Sequence, residues 1–443
     1  MLLSRFLRAR EGNVATMFAI AVIPVIGLVG AAVDYSRAAS VRTGMQSAID
    51  ATALAMAKLA PGLTQSELQT KADAYFHAMF THPEAKNLVI TPNYTTAGGS
   101  QLTMTVSGSV DTSFMNIMGF SSLAIGSTST VKWGNQRVRV ALVLDNTGSM
   151  ASAGKIDALK TATNGLLTQL RNAATTNGDV YVSIIPFVKD VNVGAGNKGA
   201  SWIDWSDWDK NNGICTKGNG NNVTSSTTQS ACQAEGGNPV WTPASHDTWN
   251  GCVADRGTSS TPTGQGYDTN ADAPGNTTQS KFPAEQYFGC PQAVLPLTYD
   301  WTAMTNLVNN MTPNGMTNQG IGLAHGWMSL VGGGPYPAPP AKDPNYTYNQ
   351  TIILLTDGLN TQNRWFSDEA SIDARQALTC ANVKAAGITL YTIQVNTDGD
   401  PTSTLLQQCA SDANKFFLVT SSSQIGTIFN QIGTNLSKLR IAQ

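Results

Sequence analysis

The distribution of apolar positions divides this chain into four stretches. Val14 to Val33 is an apolar run of the length needed to cross a bilayer, preceded by Arg5, Arg8 and Arg10. From Tyr35 to Leu59 breakers are few and alanines many, and Met45, Ile49, Ala53 and Met56 are spaced for one face of a helix. Lys86 to Trp133 reads as short strands: Asn87–Thr91, Gln101–Val106 with Leu102, Met104 and Val106 on one face, and Leu123–Val131. Beyond Asn135 the pattern becomes that of an α/β domain. Arg137 to Leu144 alternates and then turns wholly apolar, as a central parallel strand should, and a helical pattern follows over Lys155–Leu170. Strands are predicted at Asp179–Phe187, Thr351–Thr356, Ile388–Val395 and Lys415–Thr420, with helices from Asp368 and from Gln424 to about Arg440.

Between Asp190 and Leu297 this succession stops. The stretch is rich in Gly, Asn, Thr and Ser and has no sustained period, so it reads as a functional insertion, not a structureless loop inside a compact domain. It carries Cys215, Cys232, Cys252 and Cys290, an even number that predicts two disulfides and leaves three pairings open. Zinc is the alternative, but the spacings are wide and His246 is the one imidazole nearby. Cys380 and Cys409 flank a predicted strand and are expected to staple the helices on either side; buried free thiols are the alternative. Trp202, Trp205 and Trp208 recur every three residues at the start of the insertion and are expected to form its local core, with a sugar- or partner-binding face as the rival. The proline-rich loop Pro335–Pro344 is expected to rim the binding face, and His325 to be a surface or core residue, with a supporting place behind the site as the rival.

The chemistry concentrates at strand ends. Asp145-Asn146-Thr147-Gly148-Ser149 closes the first α/β strand with a carboxylate and two hydroxyls at alternate positions, hard oxygen donors suited to magnesium, manganese or calcium. Such a turn sits where open α/β sheets bind ligands, at the carboxyl ends of strands. Asn314 to Gly320 is a glycine-flanked loop that opens a helix and presents Thr317, and Thr351–Thr356 ends in Asp357-Gly358. Taken in order, Asp-x-Thr-x-Ser, Gly-x-Thr-x-x-Gly and apolar strand-Thr-Asp-Gly resemble the von Willebrand factor A family. That resemblance implies a Rossmann-like doubly wound sheet and a metal-ion-dependent adhesion site. Thr147, Ser149 and Thr317 would offer hydroxyl oxygens, and Asp145 and Asp357 would act directly or through water. The cation, magnesium first and manganese or calcium next, would keep a position open for an acidic group on a protein partner. Thr147 stands where the family has serine. Polar turns that merely cap helices are the bland alternative.

Arg10-Glu11-Gly12-Asn13-Val14-Ala15 before the apolar run, and Gly30-Ala31-Ala32-Val33-Asp34-Tyr35-Ser36-Arg37 after it, resemble the TadE/TadG-like proteins of tight-adherence (Tad/Flp) pilus systems. Members of the TadG type join this anchor to a C-terminal von Willebrand A domain. The resemblance implies other pilus-assembly components as partners. Met17 stands where pseudopilins of these systems carry the glutamate five places after the cleavage glycine, so permanent anchoring is favoured over processing. A cleavable signal peptide is the rival, with an unusually long apolar core. Arginines before the span place the N-terminus in the cytoplasm and the bulk of the chain outside the inner or cytoplasmic membrane, periplasmic or extracellular.

Three parts are thus expected: a basic tip and transmembrane helix over 1–34, a helix with a small β-rich stalk or pilin-like region over 35–134, and a von Willebrand A domain over 135–443 with its insertion at about 190–297. Only 13% of the 443 residues are charged and the net charge is −2, which gives no support to nucleic-acid binding. No nucleotide loop, hydrolase elbow or nucleophile–base pair is present, so the expected role is binding, not catalysis. A structural pilus or envelope scaffold with a vestigial or purely structural cation site is the alternative, and a metal-dependent hydrolase a more distant one.

Overall fold

A computed structural model describes residues 13–441 except 97, 98, 134, 135, 175, 224, 259, 260 and 345. Arg5, Arg8, Arg10, Glu11 and Gly12 lie outside the described residues. The chain forms two compact units that divide between Asn135 and Gln136.

In the first unit, helix α1 runs from Asn13 to Ala57 and α2 from Gln65 to Met79. Met17–Ala57 is long and apolar enough to cross a membrane. Its two halves differ in environment. Phe18, Ile23 and Leu28 are exposed, whereas Val41, Met45, Ile49, Ala53 and Met56 are buried, so the predicted helical stripe is a core face. Pro24 interrupts no more than the local hydrogen bonding of α1, as proline does in membrane spans. The strands β1 (Ala85–Thr95), β2 (Ser100–Asp111) and β3 (Ser122–Trp133) form an antiparallel sheet in that order. Its inner face brings Ile90, Leu102, Met104, Val106, Val110 and Ile125 against α1. A long helix packed on a small antiparallel sheet is the helix plus β-rich region expected, an arrangement open to either the stalk or the pilin-like reading. Helix α2 was not legible in the apolar pattern, although Thr64 and Glu67 form a capping box that marks its start.

The second unit is built on strands β4 (Gln136–Asp145) and β5 (Val180–Phe187), followed after the insertion by β6 (Leu295–Thr298), β7 (Thr347–Thr356), β8 (Thr389–Val395) and β9 (Phe416–Val419). The sheet order is β9-β8-β7-β4-β5, all parallel, with β6 antiparallel to β5. Helices α3 (Lys155–Ala173), α4 (Trp301–Asn309) and α8 (Gln424–Ile441) cover one face. Helices α5 (Gln319–Val331), α6 (Glu369–Ala385) and α7 (Thr404–Cys409) cover the other. This is the doubly wound α/β sheet expected. The chain winds outward from β4 to β5 and then returns to the other side for β7, so the switch point lies between β4 and β7.

The insertion does not form a separate lobe. Short strands at Val191–Asn192, Cys252–Val253, Phe282–Glu285 and Ile203–Asp204 extend the main sheet beyond β5 in that order. Disulfides join Cys215 to Cys232, Cys252 to Cys290 and Cys380 to Cys409. All six cysteines are paired, which removes the zinc alternative. Trp208 is buried, Trp205 stacks on His246 at 3.7 Å, and Trp249 meets Trp205 edge-on, so the tryptophans are a core.

Two expectations about position are corrected or resolved. The loop from Pro335 to Pro344 does not rim the strand ends that carry Asp145. It leads from α5 into the start of β7, and the Arg139 guanidinium donates to the Pro340 carbonyl. Arg139 is six residues before Asp145 on one strand, about 20 Å away. His325 is a core residue: it is buried, its Nδ1 pairs with the Tyr336 hydroxyl at 2.9 Å, and Phe282 meets it edge-on.

The Cys380–Cys409 bridge closes a 29-residue separation between α6 and α7. Replacing both cysteines by serine should lower unfolding free energy by about 3 kcal/mol in denaturant titrations. Burial, and then the Arg256 guanidinium, push His325 down to about 3. Its ordinary value is near 6.5, so the unfolded chain binds the extra proton between those limits. Its contribution to stability is therefore complete above pH 6.5 and falls as pH drops toward 3, by up to about 1.4 kcal/mol per pH unit. Wild type should lose more stability than His325→Gln between pH 6.5 and 4; parallel losses would contradict this.

Candidate functional site

Asp145 is the last residue of β4, and Asp357 follows the last residue of β7. Neighbouring parallel strands therefore deliver two carboxylates to the switch point. Both are buried. The Thr147 N–H and hydroxyl donate to Asp145 Oδ1 at 2.8 and 2.6 Å, a local turn that short polar side chains favour. The Thr356 hydroxyl donates to Asp145 Oδ2 at 2.7 Å. Thr147 Oγ1 and Ser149 Oγ lie 3.1 Å apart, and the Ser149 hydroxyl donates to Asp357 Oδ1 at 2.7 Å. Asp145, Thr147, Ser149 and Asp357 thus form one continuous hydrogen-bonded chain.

Thr317 arrives from the glycine-flanked loop. The Gly148 N–H donates to the Gly315 carbonyl at 3.0 Å, and the Asn314 N–H to the Asn146 carbonyl at 2.9 Å, which ties this loop to the turn after β4. Thr317 is buried, and its N–H donates to the Thr361 hydroxyl at 2.8 Å. Among the described residues its own hydroxyl bonds to none of the other four. Four of the five expected residues are therefore directly linked, and the fifth is held beside them by backbone contacts.

Gly315 must be glycine for two reasons. Its φ of +82° disfavours other residues, and a Cβ there would stand 2.8 Å from the Tyr287 hydroxyl. Tyr287 belongs to the insertion and accepts the Met316 N–H at 2.8 Å. Asp255, also from the insertion, accepts from the Asn318 side chain at 2.9 Å and from the Arg364 N–H at 3.2 Å. The insertion thus buttresses the loop that carries Thr317. Phe288 and Met316 remain exposed at this edge. An open polar cleft of about 590 Å³ lies alongside, lined in part by Lys189, Asp207, Glu285 and Arg364.

The electrostatics follow from burial of like charges. Burial first, and the Asp357 carboxylate second, push Asp145 up to about 7, against the hydrogen bonds that lower it. The fully buried Lys155 ammonium lies 2.7 Å from Asp357 Oδ2 and 2.8 Å from the more exposed Asp398 Oδ2. Burial disfavours its charge, but the bonds and charges of Asp357 and Asp398 outweigh this and raise its proton affinity. Among the described residues, no group of three or more His, Cys, Asp and Glu side chains is placed to hold a metal. Hydroxyls beside two carboxylates are a different donor set, all hard oxygen, with more negative charge than one ammonium offsets. The residues fit a divalent cation.

Three participants were not foreseen. Thr356 stood inside a recognised motif without a role. Asn360 accepts the Gln319 N–H at 2.8 Å and so anchors the start of α5 beside the site. Lys155 is the first residue of α3, where a positive charge opposes the helix dipole, and that conflict was a readable sign of an acidic partner.

Residues 12–58 match the family model of putative Flp pilus-assembly TadE/G-like proteins. The N-terminal region is TadE/G-like. No curated protein matches the chain in sequence. Solved structures that resemble it include the pilus adhesin SpaC from Lactobacillus rhamnosus GG in its open conformation, 13% identical with a TM-score of 0.38 over 82% of this chain and 35% of that one. The vWF domain of the type V pili tip protein Mfa5 from Porphyromonas gingivalis is 10% identical, with a TM-score of 0.37 over 69% of this chain and 97% of that one. Proximal thread matrix protein 1 from the mussel byssus, in a form with a zinc-occupied MIDAS motif, is 13% identical, with a TM-score of 0.33 over 69% and 47%. The chain spans about a third of the length of SpaC and about half that of the thread protein.

Lys155→Met removes the one ammonium from the buried carboxylates. Without divalent cation the variant should unfold about 3–5 kcal/mol more easily than wild type, and magnesium should restore more stability to it than to wild type. Thermal melts with chelator and with magnesium check this; equal magnesium shifts in both proteins would contradict it.

Proposed function

We propose that this chain is a membrane-anchored, extracytoplasmic component of Tad-type pilus assembly or adhesion, and that its α/β unit binds an acidic group of a protein partner through a divalent cation. Asp145, Thr147, Ser149 and Asp357 would hold the cation, with Thr317 from the adjoining loop. The cation would supply a positive centre with a position open to the partner's carboxylate. The observation that carries this reading is the pair of buried carboxylates at the switch point, bridged by hydroxyls. Phe288 and Met316 would add apolar contact at the rim, and the insertion would set specificity. The role is binding, not catalysis: the Thr147 and Ser149 hydroxyls are engaged by carboxylates, and His325, the histidine nearest in sequence to Thr317, is committed to the core. Arginines ahead of the apolar helix favour a cytoplasmic N-terminus.

Lys155 supports one rival, a scaffold in which the ammonium is the permanent counter-ion of Asp357 and no metal binds. Calorimetric titration of magnesium, manganese and calcium into the full chain in detergent, beside Asp145→Ala, separates the two. Saturable binding should be lost in the variant, with circular dichroism unchanged. Absence of heat in wild type together with full stability in chelator would favour the scaffold.

A further inference from the structure

The connection from β2 to β3 is far more apolar than a hairpin loop in water. Thr112 to Ser121 includes Phe114, Met115, Ile117, Met118 and Phe120, and no charged residue occurs from Thr112 through Val131. Ile117 is 83% exposed and Phe120 60%, and Phe114 and Met118 are partly exposed as well. The loop lies along α1 within its apolar segment. A Cβ on Gly30 would stand 2.4 Å from Phe114 Cβ, and one on Gly27 would stand 3.2 Å from Met118 Sδ. Gly27 and Gly30 therefore seat a loop of the same chain against this face of the helix. Gly30 and Gly27 precede Val33 by three and six residues. The loop thus reaches alongside the apolar run to roughly 5 and 9 Å from its end.

Most of its backbone N–H groups are bonded within the protein. The Asp34 carboxylate accepts the N–H groups of Ser113, Phe114 and Met115 at 3.0, 2.8 and 2.8 Å. The N–H groups of Ile117, Gly119 and Phe120 bond to carbonyls within the loop, and the Thr112 hydroxyl donates to the Phe120 carbonyl. Bonded backbone with apolar side chains turned outward is what hydrocarbon selects and water does not.

We infer that the loop from Thr112 to Ser121 inserts into the lipid at the membrane face from which α1 emerges, as a second membrane contact beside the helix. The occupant is lipid because the exposed side chains continue the exposed apolar surface of α1 at the same level, with no charge to interrupt it. Asp34 fixes the loop at that depth by holding three of its amides. This rests on the reading of α1 as a membrane span.

The test reconstitutes the full chain, its disulfides intact, in vesicles of phosphatidylethanolamine and phosphatidylglycerol. An environment-sensitive fluorophore is attached in turn to Ile117→Cys, Ile26→Cys and Thr130→Cys. Position 26 reports the span, and position 130, on β3 nine residues beyond the loop end, reports water. Blue-shifted emission at 117, quenched several-fold more strongly by nitroxide lipids than at 130, is the expected result. A lipid-buried label at 26 with a water-exposed label at 117 would overturn the inference and leave the anchor standing. A water-exposed label at 26 would overturn the anchor reading itself. A label at 117 shielded from nitroxide lipid and from aqueous iodide alike would overturn lipid insertion in favour of protein contact.

Discussion

Two carboxylates cannot be buried side by side unless something neutralises them, and the α/β unit is organised around that constraint. Asp145 and Asp357 are brought together because β4 and β7 are adjacent parallel strands that end at the same level. Desolvation makes each charge costly and proximity makes the pair costlier. The surrounding groups answer this with donors: hydroxyls from Thr147, Ser149 and Thr356, an amide from Thr147, and the Lys155 ammonium. Relax the burial and no cation is needed at the switch point. With it, the charge must be offset by a cation or a proton, and Asp145 is accordingly pushed up to about 7.

The rest of the site follows from holding that arrangement still. The loop before α5 must come within backbone hydrogen-bond reach of the turn after β4, which fixes Gly315 in a left-handed conformation under the Tyr287 ring. Asn360, Gln319 and Gln376 form a buried amide network that sets the start of α5 against the Asp357 turn. The insertion adds strands to the edge of the sheet beyond β5 and returns Asp255 and Tyr287 to the same loop. An extended sheet edge stapled by Cys252–Cys290 keeps those two side chains in place.

Much of this was legible because strand periodicity and site chemistry are local properties. The runs ending at Asp145 and Thr356 announced themselves as buried parallel strands, and Leu102, Met104 and Val106 declared an inner face by alternation alone. The disulfide pairing and the docking of the insertion were not legible, since both depend on contacts distant in sequence and on a stretch without period. Helix α2 was missed because its buried positions, Leu68, Ala72 and Phe76, form a narrow stripe, and the capping box was the better signal. The proline-rich loop was placed at the wrong end of the sheet. The helix-to-strand connection it forms, from α5 into β7, must run to the amino ends of the strands, so topology alone contradicts that placement. Lys155 escaped because a lysine between Gly154 and Ile156 looks like surface.

Lys155 also bears on how the site could exchange one cation for another. Its ammonium is shared between Asp357, which is buried, and Asp398, whose side chain is 56% exposed. A lysine paired only with Asp357 would be stranded in low dielectric if another cation took that carboxylate, at a cost of several kcal/mol. Asp398 removes that difficulty, because the ammonium keeps a charged partner whether or not Asp357 is engaged. A fixed structural ion pair has no need of a second acid at the solvent boundary. On the proposed reading, this shared geometry would let the ammonium neutralise Asp357 in the absence of a divalent cation and retain Asp398 as its partner in the presence of one.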